Sequence, residues 1–283
     1  MVRSTLSRSY VLASVAILLL TVIATGVGLF VPGFYRDAPV LLPQIYGQDL
    51  LTLVVAVPAL ALSLYFAAKG SSRAYVVWLG VIGYLLYTYG SYAFMTAFNE
   101  LYLVYVALLW LSLFAFVGGM VRLDVEALKR AVGDASVRPF VGFQVLFAVL
   151  VLFLWLSVIV PATLTRTVPP SIAEAGLPTN VIYSLDLGIL VPAFVLSAYW
   201  LRKRRAWGYA LTAVLLVKVA TLGGAVMAMV VFMLRAGQPL PLPQVVIFGA
   251  LTLVSVVLMV RFLSSIDPTI GFTPGGSRTG TAD

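Results

Sequence analysis

The sequence predicts an all-α integral membrane protein with about eight transmembrane helices, and three observations carry that prediction. Hydrophobic residues make up 62% and charged residues 10% of the 283-residue chain, and its mean hydropathy is +1.07, where a soluble domain carries roughly 25% charge. Eight windows each approach the roughly 20 apolar residues that a helix needs to cross the hydrocarbon layer. With those windows drawn, lysine and arginine fall almost wholly on one side of the membrane.

The first window, 10 to 31, follows Arg3 and Arg8 and stays apolar to Phe30. That run exceeds the h-region of a signal peptide, so the reading is an uncleaved first span. The second, 49 to 68, opens at Asp49 and carries Pro58. The third, 75 to 96, is tyrosine-rich, and the fourth, 100 to 121, opens at Glu100. Between 122 and 138 charges alternate with Val125, Leu128 and Val132, the pattern of a short amphipathic helix on the membrane surface. The fifth window is 140 to 161. The sixth, 185 to 201, is the shortest, opening at Asp186 with Pro192 inside. The seventh, 207 to 234, contains Lys218, and the eighth spans 244 to 263. The tail, 267 to 283, is rich in Gly, Thr and Pro and is expected to be disordered. The chain thus divides into a four-helix half with its loop (1–138), a second four-helix half (139–266) and a tail.

Of the eighteen lysines and arginines, all but Arg36, Arg166, Arg235 and the intramembrane Lys218 lie on the side that holds both termini. The bias places the termini in the cytoplasm, as expected for a prokaryotic plasma-membrane protein. Orientation therefore accounts for the net charge of +8 without nucleic acid. The run Arg202-Lys203-Arg204-Arg205 suits anionic lipid headgroups. Neither cysteine nor histidine occurs, which removes disulfides, thiolate chemistry and the usual zinc, copper and haem sites. No cofactor, metal site or nucleotide-binding glycine motif is predicted, and enzymatic function is disfavoured.

The two halves share an order of landmarks. Val31-Pro32, Arg36, Tyr46-x-x-Asp49-Leu50 and Pro58 in the first are followed in the second by Val160-Pro161, Arg166, Tyr183-x-x-Asp186-Leu187 and Pro192. Offsets run from 129 at Val-Pro to 137 at Tyr-x-x-Asp-Leu, with 129 at Trp78/Trp207 and 139 at Met120/Met259. This predicts a 4 + 4 tandem repeat. An even number of spans per unit makes the copies parallel, related by an axis along the membrane normal.

Polar residues are few, and so informative. Asp49, Glu100 and Asp186 open three inward-running spans, where they either form a cation-attracting outer mouth or simply cap helix N-termini. Lys218 lies 11 residues beyond Trp207, ~16 Å along the helix at 1.5 Å per residue and close to mid-membrane. A lysine there requires a partner, water or neutralisation. Asp186, Asp49 and the tyrosines of the third span are the candidate partners. Tyr84 and Tyr87 share a face with Ser91 and could line a polar cavity, or could serve packing alone. Pro58 and Pro192 are predicted helix kinks that open space below the two aspartates. The favoured function is a transporter or channel-like permease for a small solute, ion or lipid at the interface of the repeats. The alternative is a non-catalytic structural or accessory subunit of a membrane complex.

Overall fold

The computed structural model describes residues 6–133, 135–240 and 242–267. All its regular elements are helical, and seven helical segments are long and apolar enough to cross a membrane. The residues of the tail beyond Asp267 lie outside those described.

In chain order, α1 is Arg8–Phe30. The second segment is α2 (Leu42–Leu51), a π-turn at Thr52–Ala56, and α3 (Val57–Ala68). Then come α4 (Ser72–Met95), α5 (Tyr102–Arg122), the short α6 (Val125–Val132) and α7 (Arg138–Thr165). After α8 (Pro170–Ala173), a second broken segment comprises α9 (Val181–Leu185), a π-turn at Asp186–Leu190 and α10 (Val191–Arg202). The chain finishes with α11 (Ala206–Arg235) and α12 (Leu242–Ser265).

Each predicted window falls on one of these segments, with one qualification. α4 has 24 residues, ~36 Å of helix, but it is not among the seven apolar segments. Tyr75, Tyr84, Tyr87, Tyr89 and Tyr92 lower its hydropathy. The Tyr75, Tyr84, Tyr87 and Tyr92 hydroxyls have partners on other segments, and most of α4 is buried.

Both broken segments are organised around their prolines. Pro58 and Pro192 each stand second in the helix after the π-turn, and the Val57 and Val191 amides donate to Thr52 and Asp186, five residues back. Proline has no N–H and its ring clashes with the carbonyl four residues earlier. A widened turn just before it accommodates both defects. The predicted kink positions are thus π-bulges, and their register is new information. The π-turns, the prolines and the helix ends all correspond at an offset of 134, pairing Thr52 with Asp186 and Ala68 with Arg202. The Tyr-x-x-Asp-Leu match at 137 is therefore displaced. Asp49 stands three residues before its π-turn, whereas Asp186 is the first residue of the other.

The Val-Pro pairs also differ in place. Val31 follows the end of α1, while Pro161 sits inside α7, which continues to Thr165 and ends on Arg166 in a left-handed conformation. One proline removes one backbone bond, and in apolar surroundings the remaining bonds favour continuing the helix.

α11 is the central helix, packing on α2, α4, α10 and α12. Two close approaches need glycine: a methyl on Gly47 would meet Met229 backbone at 2.5 Å, and one on Gly80 would press on Val217. α6 is amphipathic as predicted, but its apolar residues Leu128, Ala131 and Val132 are buried, and the helix packs on α11 and α12. The Asp267 amide donates to the Ala131 carbonyl at 2.9 Å. Arg73 donates to the Ile266 carbonyl at 2.6 and 2.9 Å, tying this end together.

Candidate functional site

Four helical segments converge on Lys218. It lies thirteenth in the 30-residue α11, and its ammonium is 3.9 Å above the Tyr87 ring of α4. The nitrogen is buried without a hydrogen-bond partner. Among the described residues it has no carboxylate within ion-pairing distance. Asp186, at the first π-turn position after α9, is the acid that acts on it electrostatically. That carboxylate is itself fixed on both oxygens: the Tyr87 hydroxyl donates to Oδ1 at 2.8 Å and the Trp155 indole of α7 donates to Oδ2 at 2.8 Å.

The magnitudes leave this site incomplete. A buried ion carries an effective desolvation penalty of several kcal/mol, and a desolvated cation–π contact returns about 2 kcal/mol. The ammonium N–H groups remain free to bond an acceptor. Tyr87 plays two roles here, presenting its ring to the cation and its hydroxyl to the anion.

Asp49 occupies a separate constellation in the first half. Tyr35, from the loop before α2, donates to Oδ2 at 2.5 Å, and Tyr92 of α4 donates to Oδ1 at 2.9 Å. Below it, Gln48 donates to Tyr84 at 2.7 Å and to Thr88 at 3.0 Å. The Tyr84 hydroxyl is 2.7 Å from that of Thr52, which donates to the Gln48 carbonyl.

The structure thus redistributes the residues predicted for a site. Asp186, Lys218 and Tyr87 come together, and Tyr84 goes instead to Gln48 and Thr52. Asp49 and Asp186 share no hydrogen-bond partner. Neither caps a helix start: Asp49 is the eighth residue of α2, and the start of α9 is capped by the Asn180 side chain. Glu100 lies in the exposed turn before α5, paired with Arg36. The three carboxylates thus have different partners, Asp49 and Asp186 buried and Glu100 exposed.

The Arg36–Glu100 pair belongs to a strap over the first half. Tyr35 reaches down to Asp49, Arg36 pairs with Glu100, and Asp37 accepts the Ala97 amide at 2.9 Å. Burial pushes the Asp37 carboxyl up, and the Ala97 bond partly opposes this.

Trp155, Tyr92, Tyr35, Gln48 and Thr52 complete the two clusters without a sequence signal of their own. Trp155 is a lone mid-span aromatic, and Tyr35 lies in a loop. Only Gln48, adjoining Asp49, stands out as a polar neighbour. An apolar groove of about 120 Å³ lies between α7 and α12, lined by residues including Leu154, Phe248 and Leu251. Comparison with protein-family models, curated proteins and solved structures finds no match to this chain.

Proposed function

We propose that the protein is a permease for a small solute bearing a carboxylate or another hydrogen-bond acceptor, bound at Lys218 between two similarly built four-helix halves. The observation that carries this reading is the buried ammonium with unsatisfied N–H groups, facing an acid held rigidly by Tyr87 and Trp155. Ionisable groups in a membrane interior commonly mark substrate or ion pathways.

The 134 register supports the repeat. The turn after α3 contains Lys69→Tyr65, Gly70→Ala67 and Ser71→Phe66 backbone bonds, and the turn after α10 contains Lys203→Tyr199, Arg204→Leu201 and Arg205→Trp200. Each bond is displaced by the same 134 residues. In that register Thr52 matches Asp186 and Tyr84 matches Lys218. A neutral hydroxyl pair in one half thus becomes a charged pair in the other, and the second half is the one that carries substrate chemistry.

In this reading α4 is an eighth crossing, the halves are parallel, and both termini are cytoplasmic in a prokaryotic plasma membrane. The polybasic turn at 202–205 meets anionic headgroups there. The accessory-subunit reading draws on the tight helix contacts at Gly47 and Gly80.

A thermal-stability panel on the purified protein separates them, using small carboxylates, amino acids, phosphate and neutral amides. The permease reading expects at least one compound to stabilise the protein, with the response lost in Lys218→Met, and to be carried across proteoliposomes. A stabilising compound whose binding and uptake survive Lys218→Met would retire the site. A panel without response would favour the accessory reading.

A further inference from the structure

We propose that Asp49 and the hydroxyls around it form a binding site for a small monovalent cation, of which Na⁺ is the test case. This goes beyond the Lys218 reading and stands on different residues. Asp49 is 2% exposed. Among the described residues, no lysine or arginine lies within ion-pairing distance of it. Two phenols hydrogen-bond the carboxylate, but neither brings positive charge.

The surroundings supply neutral oxygen donors. Tyr89 of α4 and Tyr105 of α5 are each 1% exposed, and their hydroxyl oxygens have no hydrogen-bond partner. The Tyr89 and Tyr105 rings stack at 6.3 Å, with Tyr92 edge-on to both. Tyr92, packed against both rings, carries the hydroxyl that donates to Asp49 Oδ1 at 2.9 Å. Buried hydroxyls normally find partners, and two orphans on rings packed against Tyr92, beside a carboxylate that has no basic partner, describe an oxygen-rich setting for a hard cation.

Charge and space set the class of ion. One carboxylate balances one positive charge, whereas a divalent ion would leave an uncompensated charge in a low-dielectric interior. The site is also tight: a methyl on Gly28 would collide with both Asp49 Oδ2 and the Tyr35 hydroxyl. Glycine at this position lets carboxylate and phenol lie against the backbone of α1. Tyr35 belongs to the strap held by Arg36–Glu100 and Asp37–Ala97, so access from the loop side runs past that strap.

The test measures melting of the purified full chain in detergent at constant ionic strength and neutral pH as NaCl replaces choline chloride. Binding to the native state raises the melting temperature with ligand concentration, and a tenfold excess over Kd gives a shift of about 3–6 °C for a chain of this size. Asp49→Asn is expected to abolish the response. Tyr105→Phe removes an unpartnered hydroxyl, keeps the fold, and is expected to weaken the apparent Na⁺ affinity several-fold. It carries the test if Asp49→Asn does not fold. Identical melting in both salts, a Na⁺ response retained in Asp49→Asn, or stabilisation by acid alone would each overturn the proposal. Because the Lys218 panel can be run at fixed salt, failure of either site is visible without the other.

Discussion

At the residue scale, the site's organisation rests on Tyr87. Its ring lies under the ammonium, while its hydroxyl holds the carboxylate. Tyr87→Phe separates those roles, keeping the ring and deleting the donor. Hydrogen bonds to charged groups contribute about 1.5–3 kcal/mol, so the variant should lose about that much stability. Chemical denaturation reads the loss, and no loss would mean that Asp186 is held by Trp155 alone. That Lys218 needs an answering group was accessible to sequence reasoning, with Asp186, Asp49 and the tyrosines of α4 as candidates, because a charged residue in an apolar run must find one. Tyr84 and Tyr87 were not separable by the same route. They are three residues apart, hence neighbours on one helical face, yet α4 is surrounded and the two hydroxyls meet different segments. Trp155 and Tyr35 act only through contacts between distant parts of the chain, which spacing along one helix does not encode.

At the element scale, the broken helices and their turns carry the most information. The two prolines were legible as distortions, but the π-turn before each was not, since its sequences Thr52–Ala56 and Asp186–Leu190 are unlike. The match of letters and the match of backbone between the two broken segments therefore differ in offset. A match displaced by three residues shifts by nearly one helical turn and keeps letters on nearly the same face, so Tyr-x-x-Asp-Leu aligned at 137 while the backbone corresponds at 134. The matching turns make a prediction. Gly70 adopts φ 87° and Arg204 adopts φ 52°, a left-handed conformation that costs a side chain roughly 1–2 kcal/mol. Arg204→Gly should stabilise the protein by up to about 1 kcal/mol after glycine's greater unfolded-state entropy is set against that strain. A lower melting temperature would show that the Arg204 guanidinium's bond to the Tyr209 hydroxyl, at 3.4 Å, outweighs that strain. Gly47→Ala should act in the opposite sense, because its methyl meets the Met229 backbone. Overpacking commonly costs 1–3 kcal/mol, and a loss of at least about 2 kcal/mol by denaturation is expected. An unchanged midpoint would mean that α2 and α11 part easily.

At the scale of the whole molecule, composition was enough for a multi-pass helical membrane protein, and the windows located its segments. The departure at α4 is instructive: an element can be long and central yet fall short in hydropathy when its tyrosines are buried inside the bundle. The interior holds two different polar constellations. One has an acid among tyrosines without a basic partner, and the other has an acid facing an unsatisfied lysine. The account makes the lysine constellation a binding site that solution reaches during function, and the absence of native cysteine provides a clean background for testing it. The most direct measurement is the reaction of Lys218→Cys with a small aminoethyl thiosulfonate in the folded protein, followed by mass. The account predicts modification that proceeds without denaturant, is slowed by any compound that stabilises the wild type, and restores an amine at the site. A thiol that reacts only after unfolding would contradict it.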